Sequence, residues 1–375
     1  MFDLAVVALA SAICGSEVRP ESVHFSRGNQ VVQAVVASHR VYLRIADPGD
    51  HVATAAYLDH HQLFRCWNMP EIRNVRLLTV TPDKELLIGY FRMGSSLRRG
   101  AEYHIQRIRS ANSISEVNSD AVGGCDLTSQ SVVLASQPLV FQGDCLIDME
   151  NGESKRLPQV HPYSCGDGCA GKILAAVSAQ RNYHDVQQRA GLFLIEQRTG
   201  AVNKLDLASS KLNVLSAPEL DPEWDRINAI VADPAEPDWF YVAIGTPLHG
   251  GRLLRVSTQG KSELVFCKEV HQTSGLAGLP GADRWPADVR DTTMPVLSAC
   301  NDGNGQILFV TFDGVYAISN KSSSRFLGAP AFEDVGGFWI ATNIPNVILV
   351  LSSHADSQIA QTRFFSNVFI CSYPE

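Results

Sequence analysis

Apolar residues along this chain come in short runs closed by Gly, Pro, Asn or Asp, and inside many runs they alternate with polar residues. That two-residue period belongs to β-strands, whose successive side chains point to opposite faces. Apolar spacings of three and four residues, sustained over a dozen positions as an amphipathic helix requires, are scarce. Lys172–Gln180 and Val186–Phe193 come closest, and both also read as strands or loops.

The runs recur as a unit of apolar strand, short turn, second strand often rich in aromatic residues, Gly or Asp turn, and third strand. Seven units begin near Val31, Val75, Ser131, Ile173, Ile227, Pro295 and Val335. With Val35, Leu78, Val133, Ala175, Ile230, Leu297 and Ile340 as matched points, the steps are 43, 55, 42, 55, 67 and 43 residues. Repeats of about 40 to 50 residues built from strands are the mark of β-propeller blades. One small twisted sheet cannot cover both of its faces, so neighbours stack radially until the ring closes. The expected fold is therefore all-β, a propeller of about seven four-stranded blades. Two parallel-sheet domains would need helices between the strands, and the pattern does not supply them.

Composition agrees with one repeat architecture for all 375 residues: 45% hydrophobic, 19% charged, with 28 Gly and 18 Pro spread along the chain. The net charge of −8 and the lack of a basic run argue against a nucleic-acid partner. No stretch has the eighteen or more apolar residues of a spanning helix. Residues 4–13 are apolar and lead through small residues into Ser16-Glu17-Val18-Arg19, which reads as a secretory leader over 1–15 cleaved near Ala12 to Gly15, with 16–375 as a single domain. The segment Met1-Phe2-Asp3 lacks the usual basic residue, and a strand of the last blade is the competing reading. Export would leave eight of nine cysteines, an even number that permits disulfides, with Cys165 and Cys169 as a candidate pair. A sequon at Asn320-Lys321-Ser322 is consistent with export.

Residues 301–316, Asn-Asp-Gly-Asn-Gly-Gln-Ile-Leu-Phe-Val-Thr-Phe-Asp-Gly-Val-Tyr, resemble the blade consensus of NHL-like, gluconolactonase-like and two-component-regulator propellers. Residues 82–92 and 191–200 repeat fragments of it. In those families Asp and Gly shape the first hairpin turn, an aromatic residue starts the packing of the second strand, and Asp-Gly makes the next turn. The resemblance implies the architecture, and it admits a hydrolase or lactonase with a metal or carboxylate pair in the channel.

Two irregular segments stand out, and loops of this size inside compact domains are often functional. Leu157–Gly171 holds His161, Tyr163 and the run Cys165-Gly166-Asp167-Gly168-Cys169; Phe266–Met294 holds Asp283, Arg284, Trp285 and Asp288. His161, Tyr163, Asp167, Asp283, Arg284, Trp285 and Asp288 are accordingly the candidate binding residues. The run Gly166–Lys172 imitates the start of a phosphate-binding loop, but Ile173 stands where a Mg²⁺-binding Ser or Thr belongs, so a tight glycine turn is expected instead. Asn301, Asp302 and Asp313 have the oxygen chemistry of a Ca²⁺ site but suit turn formation better, so no cofactor is expected. No Gly-x-Ser-x-Gly elbow occurs, and no cysteine or histidine set has zinc spacing. The expected function is a secreted or lumenal binding or scaffold module for a protein or carbohydrate, with a propeller hydrolase or lactonase carrying a metal or carboxylate site at the central channel as the alternative. A cytoplasmic interaction propeller follows if the N-terminal run is a strand.

Overall fold

The computed structural model describes the backbone of strands between residues 19 and 116 and between 322 and 372, and describes residues 132–271 and 291–319 apart from short gaps; side chains are described within 134–269 and 293–318. Among these residues the strands form seven four-stranded antiparallel sheets and two short two-stranded ribbons.

The sheets follow chain order. The first is Gln30–Ala37, Arg40–Ala46, Ala53–Asp59 and Gln62–Arg65. The second is Ile72–Val80, Leu86–Arg92, Glu102–Ser110 and Ser113–Glu116. The third is Val132–Val133, Leu139–Gln142, Cys145–Asp148 and Ser154–Arg156. The fourth is Cys165–Cys169, Lys172–Val177, Gly191–Glu196 and Val202–Leu205. The fifth is Ile227–Ala232, Trp239–Thr246, Gly250–Ser257 and Ser262–Phe266. The sixth is Ser298–Asn301, Ile307–Thr311, Gly314–Ser319 and Ser322–Gly328. The seventh takes Gly336–Ala341, Val347–Ala355 and Phe364–Ser372, and its outermost strand is Arg19–His24 from the other end of the chain. Arg19 pairs with Ser372 and His24 with Asn367, so the start of the chain is sewn into its end.

The packing between sheets follows from the two-residue period. In Lys172–Val177, Leu174 and Ala176 join a cluster with Ile230, Phe240, Val242 and Leu254 of the fifth sheet. Ile173, Ala175 and Val177 point the other way, into a cluster with Leu139 and Phe141 of the third sheet. The fifth sheet repeats the device: Phe240, Val242 and Ile244 face the fourth sheet, while Tyr241 and Ala243 pack with Ile307, Phe309 and Tyr316 of the sixth. A sheet buried on both faces between its neighbours is a propeller blade, and the first strands of successive sheets lie against one another on the inside. Burying each large apolar side chain in these layers contributes about 1.5–3 kcal/mol.

The repeat expectation holds with one displacement. Val35, Leu78, Val133, Ile230 and Ile340 lie on the first strands of their sheets and Leu297 lies one residue before one, but Ala175 lies on the second strand of the fourth sheet. The true first strand there is Cys165–Cys169, which the glycines had disguised as a loop. Gly166 and Gly168 face the third sheet, where an added Cβ would come 3.1 Å from Leu134 Cδ2 and 2.6 Å from Gln137 Oε1 respectively. Glycine inside a strand marks such a close approach. The turn that follows uses Ala170 at φ 50° and Gly171 at φ 77°, the positive values of a two-residue hairpin turn that matches strand twist. Both segments with helix-like spacing are extended: Lys172–Val177 and Gly191–Glu196 are strands of the fourth sheet, and Val186–Gln188 forms a ribbon with Gln180–Arg181.

The proposed Cys165–Cys169 disulfide is not formed, and both thiols are free. Four residues of extended chain separate them by about 13 Å, while a disulfide needs Cα atoms within about 7 Å.

Candidate functional site

Because adjacent strands alternate in direction, the links between sheets and the links between second and third strands fall on one mouth of the channel. In the fourth to sixth sheets the described parts of these links are residues 157–158, 161–164, 178–181, 185–190, 206–207, 218–226, 267–271 and 291–297. Residues 161–164 of the first irregular segment and the described ends of the second, 267–271 and 291–297, therefore lie at the same mouth. The turns at Ala170–Gly171, 197–201, 233–238 and 258–261 lie on the opposite one.

A hydrogen-bonded rim runs along that mouth. Ser178 Oγ donates to Ile227 O at 2.9 Å and accepts Ile227 N–H at 3.0 Å, so one side chain prolongs the fourth sheet into the fifth. Ser164 Oγ lies 3.0 Å from Ser178 Oγ and donates to Ala176 O at 3.2 Å. Asn228 Nδ2 donates to Gly245 O at 2.8 Å and to Val296 O at 2.7 Å, tying the fifth sheet to the approach of the sixth. Thr293 Oγ1 accepts Gly251 N–H at 2.9 Å and donates to Gly251 O at 2.8 Å. Glycine is required at this root: a Cβ on Gly251 would stand 2.0 Å from Ile244 O, and one on Gly245 would stand 2.7 Å from Pro295 Cα.

The long segment after the fifth sheet leaves and returns as an antiparallel ribbon, Glu269–His271 against Asp291–Thr293, with Val270 opposite Thr292 and His271 opposite Asp291. Its base is fixed by Met294 N–H donating to Lys268 O and by burial of Met294 and Val296. Asp283, Arg284, Trp285 and Asp288 lie outside the described residues, as do Asp302 and Asp313. Asn301 Oδ1 accepts Gly305 N–H at 3.3 Å, a turn-forming use.

The other sequence candidates separate by burial. His161 stacks on Phe193 with ring centroids 4.2 Å apart and meets Tyr163 edge-on at 5.7 Å. Burial lowers the His161 pKa below its ordinary value, which keeps the ring neutral at pH 7. Tyr163 is buried against Phe141, its hydroxyl has no hydrogen-bond partner, and burial pushes its pKa up to about 12. Asp167 is wholly buried on the inner strand of the fourth sheet and not on a loop. Its Oδ2 accepts Ala232 N–H of the fifth sheet at 2.7 Å, and its Oδ1 accepts Gly168 N–H at 2.8 Å. Cys165 and Cys169 share the Asp167 face and pack against the fifth sheet; burial raises the Cys165 thiol to about 12 against an opposing hydrogen bond from Ser164.

Sequence reading missed a second assembly at the mouth. Residues 221–225, Asp-Pro-Glu-Trp-Asp, form a tight turn in which Asp221 Oδ1 accepts Glu223 N–H at 2.7 Å and Asp225 Oδ2 accepts Asp221 N–H at 2.7 Å. Arg252, 1% exposed, forks onto Asp225 at 3.1 and 2.6 Å and also donates to Glu219 O. Burial pushes the Asp225 carboxyl upward and the Arg252 guanidinium opposes it. Ala190 N–H to Pro222 O and Ala179 N–H to Asp225 O fasten the turn to the fourth sheet. The turn-forming run 221–225 was the available signal, whereas its partner Arg252 sits amid an apolar strand with nothing local to mark it.

At the opposite mouth Arg255 pairs with Asp233, Glu236 and Glu263 and lies 4.3 Å from the centroid of Trp239, and Lys172 pairs with Asp238 at 3.0 Å. Lys172 is thereby a link between the fourth and fifth sheets and does not serve a phosphate loop. Among the described residues no three His, Cys, Asp or Glu side chains come together as a metal site, and no helix is long and apolar enough to cross a membrane.

No family model matches the chain, and no curated protein matches it. Solved structures similar to it include the β-propeller domain of the Trilobed protease from Pyrococcus furiosus, at 11% identity and TM-score 0.48 over 90% of this chain and 95% of that one. YCF48 from Cyanidioschyzon merolae is similar at 11% identity and TM-score 0.47, over 95% and 98% of the two chains. A candidate gluconolactonase is similar at 11% identity and TM-score 0.38, over 95% and 94%. The sheet stacking described above makes this chain a β-propeller repeat protein; none of these likenesses assigns it an activity.

Proposed function

We propose that the chain is an exported, seven-bladed β-propeller that works as a binding module and takes a protein or carbohydrate ligand at the mouth where residues 161–164, 267–271 and 291–297 lie. The observation that carries this reading is the shared rim: the Ser178, Asn228 and Thr293 hydrogen bonds join the fourth sheet, the fifth sheet and the approach to the sixth into one platform at that mouth. Seven sheets in chain order, the last completed by Arg19–His24, support the blade number. Cleavage near Ala12 to Gly15 would leave the strand Arg19–His24 whole.

A carboxylate-pair hydrolase is less well supported. Among the inner strands of the seven sheets Asp167 is the one Asp or Glu, and its oxygens accept backbone N–H groups of Ala232 and Gly168. Photo-cross-linking tests the reading. Benzoylphenylalanine at Asp185, Gln187 or Lys268, exposed at the mouth, is expected to give ligand adducts in the native host, and the same residue at Thr199, Gln259 or Lys261 is expected to give none. Adducts confined to the second set would overturn it.

A further inference from the structure

Cys145 opens the third strand of the third sheet, is 3% exposed and is disulfide-bonded. Its partner lies outside the described residues. Cys165, Cys169, Cys267 and Cys300 carry free thiols, so the partner is one of Cys14, Cys66, Cys125 and Cys371. Sheet topology separates these four. Cys371 stands in the seventh sheet, opposite Pro20 and Ile348. Cys66 directly follows Gln62–Arg65, the outermost strand of the first sheet, and the second sheet packs between that sheet and the third. Cys14 comes five residues before Arg19 of the seventh sheet, within the leader read over residues 1–15. Cys125 alone belongs to the third sheet's own approach: the second sheet ends at Glu116 and the third begins at Val132, both at the mouth where Cys145 starts its strand.

We infer that Cys125 and Cys145 form a disulfide that ties the entry of the third sheet to its third strand. The chain has the length for it. Val132 pairs with Phe141 and Phe141 with Leu146, so two strand spacings, about 10 Å, separate Val132 from Leu146, and Cys145 is one residue nearer the mouth. The seven residues from Cys125 to Val132 reach up to about 23 Å when extended, and a disulfide asks for Cα atoms within about 7 Å. The receiving side is held in place: Cys145 pairs with Arg156 of the outermost strand, Leu157 N–H donates to Asp144 O at 2.7 Å, and the Arg156 guanidinium meets Asp144 at 2.7 Å. Two S–H bonds break and one S–S bond forms. The two electrons and two protons pass to the disulfide of an oxidoreductase in the export compartment, which leaves as a dithiol. That oxidant comes with the export reading above, whereas the pairing itself does not depend on which mouth binds a ligand. Joining residues 20 apart in the chain closes a loop, which favours the folded state on the order of a hundredfold.

The test is peptide mapping of the full chain after equilibration in a buffer of reduced and oxidised glutathione and alkylation with iodoacetamide in urea without reductant. Endoproteinase Asp-N cuts before Asp120, Asp126, Asp144 and Asp148, which puts Cys125 and Cys145 on separate peptides, 120–125 and 144–147. Those two peptides are expected joined, and parted by dithiothreitol. In urea unfolding Cys125→Ser should lower the ratio of folded to unfolded chain about a hundredfold; dithiothreitol should lower the wild type as much and leave the variant unmoved. Alkylation of both cysteines without reduction, or Cys145 joined to a different cysteine, overturns the inference. Where Cys125→Ser does not fold, the wild-type map decides alone. A joined pair in the glutathione buffer, with Met1 intact and both thiols reduced in the native host, removes the export reading and leaves the pairing as a property of the fold. A cleaved N-terminus with both cysteines unpaired removes the pairing and leaves export.

Discussion

Replacing Asp167 by Ala should destabilise the protein more than any surface change at the mouth. The carboxylate is wholly buried and accepts Ala232 N–H at 2.7 Å across the interface between sheets, together with Gly168 N–H at 2.8 Å. Alanine leaves both N–H groups buried without these acceptors. A hydrogen bond to a charged group is worth about 1.5–3 kcal/mol, so losing both comes to about 3–6 kcal/mol. A domain of this kind is stable by about 5–15 kcal/mol in total, so the loss is large. Asparagine keeps one carbonyl oxygen but turns an NH₂ group toward the other donor, for an expected loss of about 2 kcal/mol. Urea unfolding followed by circular dichroism reads both values, with an unchanged slope confirming that the native state is comparable. An Asp167→Ala midpoint equal to wild type, or Asp167→Asn more damaging than Asp167→Ala, would refute the role of Asp167 as an acceptor between blades.

The remaining expectations concern backbone space and titration. Gly251→Ala drives a Cβ to 2.0 Å from Ile244 O and should cost at least about 3 kcal/mol or prevent accumulation of folded protein, whereas Gly171→Asn, where the added Cβ meets nothing within 4 Å, should cost under about 1 kcal/mol; thermal melts distinguish them. Ala170→Gly relieves a positive φ of 50° and should leave stability unchanged or raise it by up to about 1 kcal/mol. With its thiol near pKa 12, Cys165 should resist iodoacetamide at pH 8 in the folded chain and react once urea is added, as mass mapping would show. His161 binds its proton less readily folded than unfolded, so its contribution to stability is complete above the ordinary pKa of 6.5 and declines as pH falls below it; a His161→Phe variant should lose that part of the pH dependence.

The blade pattern was legible because period-two runs and turn residues are local signals. Residues 301–316 show it plainly: strands Ser298–Asn301, Ile307–Thr311 and Gly314–Ser319 fall on either side of the Asn-Asp-Gly and Asp-Gly turns. Cys165–Cys169 was misread because its glycines answer to Leu134 and Gln137, residues thirty positions away in another sheet, and local turn chemistry mimics that demand. His161 and Tyr163 do lie together beside Phe193, yet Asp167, six residues on from His161, faces the fifth sheet and serves the interface between blades. The Arg252–Asp225 fork joins the third strand of the fifth sheet to the turn before its first strand, and Asn228 reaches Val296 at the approach to the next blade. Those contacts follow from ring geometry, which no linear spacing reports.

The claim that one mouth is the working face is tested most directly by hydrogen–deuterium exchange on the chain alone and with the ligand that cross-links to it. Protection is expected in residues 161–164, 178–190, 218–229 and 267–271, with the turns at 170–171, 197–201, 233–238 and 258–261 unchanged. Protection of the second group with none in the first would contradict the account.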